Sequence, residues 1–179
     1  MVASGGVIQA REKTSDELLK ILSAPSTSRK ARIKAAAKLA RKPPSEALPK
    51  IWKIRKQYAG VTVEWGMDHS GIKQSWEHVA HSTADYAWSA NLHNPAYSDQ
   101  EKGMALLGLL KQENTASDKA SLLADLKFCC WVEGAELEAV SILKDPEANW
   151  SSRYAAAKTS LTNTASNVQN YRSDLEPVS

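Results

Sequence analysis

Apolar residues recur at helical spacing through nearly all of this 179-residue chain, and only Val61 to Trp65 alternates in the two-residue rhythm of a strand. One short, solitary strand has nothing to pair with, so the expected fold is all-α. The sequence predicts one domain over 1–179, an irregular multi-helix bundle of about seven helices or a short helical-repeat solenoid. Local punctuation agrees. Thr14 and Glu17 form a capping box that opens Ser15 to Ser23, where Leu18, Leu19 and Leu22 share a face and Pro25 closes the element. Ser28 can cap a second helix reaching about Lys42, stopped by Pro43 and Pro44. Ser45 to Ala59 reads as a third, with Leu48, Ile51, Trp52, Arg55, Tyr58 and Ala59 on one stripe and Gly60 as the stop. Further helices are expected over Ile72 to Leu92, Gly103 to Lys111 behind the Ser98/Glu101 capping box, Lys119 to Val132 behind Thr115 or Ser117, and Ala135 to Lys144. The last runs from about Ser151 to Tyr171, and its residues Tyr154, Leu161, Ala165, Val168 and Tyr171 form a packing seam.

Charge divides the chain more sharply than hydropathy does. Residues 1–60 carry 14 Lys plus Arg against 4 Asp plus Glu, a net of +10, whereas residues 61–179 carry 9 against 16, a net of −7. The overall +3 therefore hides a basic N-terminal helical region and an acidic helical body. A basic block on an acidic body is the footprint of a polyanion partner, usually nucleic acid, or of a chain that docks on itself or on an acidic protein.

Other bounds are looser. With 42% hydrophobic and 24% charged residues, the composition is that of an ordinary globular domain. No secretory leader or run of ~18 apolar residues is evident, so no membrane contact and an intracellular, cytoplasmic location are expected. Cys129 and Cys130 are adjacent inside an apolar run, which reads as buried reduced thiols rather than a disulfide.

An internal echo ties the two ends together. Ile21-Leu22, Pro25, Arg32 and Ala35-Ala36 reappear as Ile142-Leu143, Pro146, Arg153 and Ala156-Ala157. Two helices, a proline in the turn, then an arginine and a small-residue face resemble the helical pairs of HEAT and armadillo proteins, here at residues 19–40 and 140–161. The offset of 121 is close to three periods of ~40 residues. Intermediate copies are then expected near Trp65 and Ala105, where the pattern is not seen.

Within the basic block, Lys30, Lys34, Lys38, Arg41 and Lys42 project from one face of the second helix, opposite Ile33, Ala36 and Ala40. Lys50, Lys53 and Lys56 turn away from the apolar stripe of the third. These eight cations, with Glu46 the sole carboxylate between Pro25 and Gly60, suit a phosphate backbone contacted without base readout. Six Trp could serve base stacking, but Trp52 lies on an apolar stripe and Trp65, Trp76, Trp88, Trp131 and Trp150 lie in the acidic part, which favours core or self-association roles.

All four histidines lie between His69 and His93. His78, His81 and Asp85 share a helical face, Glu77 precedes His81 by four, and Asp68 and His69 stand in the preceding loop. The segment resembles the metal-binding helix of DinB-type four-helix bundles, which also join Trp and His. That family uses further histidine on a later helix, and none follows His93. No phosphate-binding Gly-rich loop, nucleophile elbow or H-E-x-x-H is present, and Cys129 and Cys130 have no base beside them.

The sequence thus points to a non-enzymatic nucleic-acid-binding protein, RNA before DNA, without cofactor or metal, that self-associates. Its charge polarity also suits a viral nucleic-acid-associated protein. The alternatives are a self-assembling or protein-interaction module and, second, a metal-dependent enzyme using His78 and His81.

Overall fold

A computed structural model describes residues 12–61 and 75–160, the side chains of Phe128 and Cys129 excepted. It is all-helical, with no strand among the described residues. The helices are α1 (Ser15–Ser23), α2 (Arg29–Leu39), α3 (Pro44–Gln57), α4 (Trp76–Leu92), α5 (Asp99–Gln112), α6 (Ala116–Cys129) and α7 (Ala135–Lys144), followed by helical residues 150–160, here α8. Most of Val61 to Trp65 and the Leu161 to Tyr171 part of the seam lie outside the described residues.

The chain groups into two compact units, residues 1–42 with 50–90 and residues 43–49 with 91–179. In the first, α1 packs on α2 through Leu18, Leu22, Ala35, Ala36 and Leu39, all buried. Both reciprocal bonds of the Thr14/Glu17 capping box are present, and Ser28 caps α2 by accepting from the Ala31 N–H. Trp52 meets Trp88 at a centroid distance of 5.5 Å, and Tyr58 meets Trp76 edge-on at 5.4 Å. Gly60, at φ 82°, follows α3 in the left-handed conformation that glycine adopts without steric cost.

In the second unit, α5, α6 and α7 close around Leu106, Leu110, Leu122, Leu123, Leu126 and Ile142. Gly103 permits the closest approach there, since a Cβ at this position would collide with the Cys130 carbonyl oxygen and Val132 Cγ1. Cys130 is a buried free thiol.

Several boundaries move. The helix expected from Ser45 begins at Pro44, because proline at the first position of a helix gives up only an N–H that would have no intrahelical partner. The helix expected from Gly103 begins at Asp99, directly behind its Ser98 cap. On α2, Ile33 is not buried opposite the lysines but 45% exposed, and Arg32 takes the inward stripe with Ala35, Ala36 and Leu39. Those four positions follow the i, i+3, i+4, i+7 rule, and Ile33 falls outside it.

The echo between the chain ends is geometric as well as sequential. Arg32 donates to the carbonyls of Leu22, Ala24 (2.5 Å) and Pro25 (3.4 Å), and Arg153 donates to those of Asp145 (2.7 Å) and Pro146 (3.0 Å). The turn bond from Thr27 N–H to Ala24 recurs from Ala148 N–H to Asp145, and Ser28 is matched as a cap by Asn149. A similar turn lies between α4 and α5, where Tyr97 N–H bonds the Asn94 carbonyl, Ser98 caps, and Pro95 and Lys102 stand at the spacing of Pro25 and Arg32, although Lys102 donates to Asp99 rather than to the turn carbonyls. It begins ten residues before the expected Ala105 and carries Lys for Arg, so a fixed period and an arginine search both pass over it.

Candidate nucleic-acid interface

The exposed side of α2 is a row of cations. Arg29, Lys30, Lys34, Lys38 and Arg41 are all exposed, and no acid occurs in the first turn or elsewhere in the helix. Arg29 to Lys38 lie within α2, nine residue steps or about 14 Å at 1.5 Å per residue, and Arg41 stands just past the helix end. It exists because Arg32, Ala35, Ala36 and Leu39 fill the opposite side against α1 and leave every lysine turned outward.

The remaining cations are differently employed. Lys42 binds Glu12 at 2.9 Å and Lys50 binds Asp16, so two of the eight expected phosphate contacts are engaged with carboxylates. The neighbouring ammonium groups act first by hydrogen bond and then by charge, holding Glu12 and Asp16 below the usual carboxylate range. Lys53 borders a cleft of about 480 Å³ between α1 and α3, with Asp16, Lys20 and Gln57 around a floor of Leu19 and Ile54. Lys56 is exposed. The expected eight-cation face is therefore a row of four cations on α2, with Arg41 just past its end, together with α3 lysines, of which Lys50 and Lys53 turn toward α1. Arg29 and Lys20 were not among the expected contacts; Arg29 is the first residue of α2 and extends its row, a signal that was present in the sequence.

Near the histidines, Asp85 is already occupied. Its Oδ1 accepts from Arg55 Nε at 2.7 Å and its Oδ2 lies 3.2 Å from His81 Nδ1. Arg55 in turn lies over Trp88 (4.7 Å) and Trp52 (5.4 Å), so the polar stripe on α4 is anchored to α3 through an arginine between two indoles. His78 is half-buried, and its backbone N–H donates to Ser75 Oγ. Among the described residues no three His, Cys, Asp or Glu converge as metal ligands; Asp68 and His69 lie outside them.

The tryptophans divide clearly. Trp52 and Trp88 are buried, Trp76 is half-buried against Tyr58, and Trp131 donates to Glu136 at 3.0 Å. Trp150 alone among the described tryptophans stands open, 79% exposed and stacked on Tyr154 at 6.1 Å. Trp65 lies outside the described residues. No described helix is long and apolar enough to cross a membrane. No family model, curated protein or solved structure matches the chain.

Proposed function

We propose that the protein binds nucleic acid through its phosphate backbone, without enzymatic chemistry or base-specific readout, and that the α2 row is the primary contact. The observation that carries this reading is the run Arg29, Lys30, Lys34 and Lys38, all exposed on a helix with no carboxylate of its own, with exposed Arg41 just past its end. An ordinary solvated helix face interleaves both signs, and the cost of crowding like charges is offset when a polyanion neutralises them. RNA is the first choice of partner and DNA the second. The scaffold beneath is read as HEAT-type helix pairs, supported by the shared turn bonds of Arg32 and Arg153.

With Lys42 and Lys50 engaged, about 3 to 5 phosphates are within reach, giving a log-log salt slope of about −2 to −5 across single-stranded and duplex ligands. Fluorescence anisotropy on unrelated RNA and DNA oligonucleotides across a salt series measures it. Lys34→Glu with Lys38→Glu should weaken all sequences alike, while Lys111→Glu, on an exposed residue of α5, should matter far less. No binding of any oligonucleotide at low salt would remove the proposal.

A further inference from the structure

The outer side of α7 carries a self-complementary pattern. Leu137 (75% exposed) and Val140 (39%) lie at its centre, exposed Lys144 follows on the same stripe at the carboxyl end, and exposed Glu133 stands at the amino end. The last turn of α7 adds Leu143 (38%), and α8 adds Trp150 (79%) and Tyr154 (56%). These five apolar side chains contain most of the large hydrophobics exposed among the described residues. Glu136 does not disturb the stripe, because its carboxylate accepts from Trp131 and the Gly134 N–H.

The equivalent turns show what is unusual here. Leu143 corresponds to Leu22 and to Leu92, which are 0% and 5% exposed. Two of the three pairs bury this position and the third leaves it open. Around that position the α7–α8 pair exposes leucine, valine and a stacked Trp–Tyr pair.

We infer that this face is a two-fold interface with a second copy of the same chain. The charge order selects that occupant. Packing α7 antiparallel on α7 of the second copy sets Leu137 against Val140 and Glu133 against Lys144, twice over, so the patch complements itself without any other surface. Parallel packing would oppose glutamate to glutamate and lysine to lysine. Trp150 and Tyr154 supply rigid anchors of the kind that dominate interface energetics. The inference does not depend on nucleic-acid binding, since none of these residues belongs to the α2 row.

Sedimentation equilibrium on the full chain at about 100 µM in low salt tests it, a concentration that saturates any interface of about 8 kcal/mol. A dimer is expected, and Leu137→Glu should raise its dissociation constant at least about tenfold by placing a charge in the apolar centre. Glu133→Lys and Lys144→Glu should each weaken the dimer, while the double swap Glu133→Lys/Lys144→Glu restores it. All these positions are exposed, so circular dichroism should be unchanged and melting temperatures should agree when measured at concentrations low enough that every variant is monomeric, separating lost association from lost folding. A wild-type monomer at that concentration, a dimer indifferent to Leu137→Glu, an open-ended head-to-tail series or single swaps that are not rescued by the double swap would each overturn the two-fold arrangement.

Discussion

Arg32 and Arg153 hold equivalent turns in the same way, each guanidinium reaching back to the carbonyls that end the preceding helix, Ala24 and Pro25 for one and Asp145 and Pro146 for the other. The Ala24 and Asp145 carbonyls already accept a turn N–H, from Thr27 and Ala148, so each guanidinium adds a second, charged donor and ties the end of one helix to the next. Arg32 is 1% exposed, lies over the Trp76 ring at 5.5 Å, and its burial lowers its pKa from the ordinary arginine value.

Replacing Arg32 should therefore cost more than replacing Arg153. Arg32→Ala removes donors from three carbonyls and leaves a cavity beneath Trp76, for a loss of about 3 to 5 kcal/mol. Arg153 is half-exposed, its carbonyls can turn to water, and Arg153→Ala should cost about 1 kcal/mol. Urea denaturation of both variants gives the comparison, and equal losses would contradict the role assigned to burial.

The two glycines of α5 should respond with opposite signs. Gly103→Ala places a methyl against the Cys130 carbonyl and Val132, and overpacking against backbone should cost about 1 to 3 kcal/mol. Gly108 has nothing within 4 Å of a built Cβ, so Gly108→Ala should stabilise by up to about 1 kcal/mol through helix propensity. Melting temperatures of the two single variants decide this.

Acid should loosen the attachment of α1. Glu12 and Asp16 titrate below their ordinary values of 4.5 and 3.8 in the folded chain, so their contribution is complete above those values and lost as pH falls through the lowered ones. Both carboxylates are well exposed, so the effect is modest and weakened by salt. Lys42→Gln with Lys50→Gln should lower stability slightly at pH 7 and flatten its decline below about pH 4.5. A decline as steep as that of the wild type would assign acid sensitivity elsewhere.

The Ser98 cap offers a second acid-sensitive group. Glu101 is held below the usual carboxylate range by the Ser98 backbone N–H first and the Ser98 hydroxyl second. Ser98→Ala should cost about 1 kcal/mol and move the Glu101 titration part of the way back, since the backbone donor remains. Carboxyl titration by NMR reads the shift directly.

The helices were legible in the sequence because their signals are local. Thr14 with Glu17, Ser98 with Glu101, Thr115 and Gly60 each act within three or four residues, and each marks a helix end, although α5 and α6 begin directly behind their caps, at Asp99 and Ala116, rather than at Gly103 and Lys119. The inward face of α2 was not legible. A helix built mainly of lysine, arginine and alanine has little apolar contrast, and burying Arg32 in place of Ile33 makes sense only once the carbonyls of Leu22, Ala24 and Pro25 come within its reach. The same holds for the interface. The count of cations is a property of the sequence, but the pairing of Lys42 with Glu12 and of Lys50 with Asp16 joins residues 30 and 34 positions apart. Such pairs follow from where α1 is laid against its neighbours, and no periodicity in either helix encodes them. Composition and caps thus determined an all-helical chain with a basic end, and tertiary packing decided which cations face solvent and which apolar residues, Leu137 and Trp150 foremost, are left uncovered.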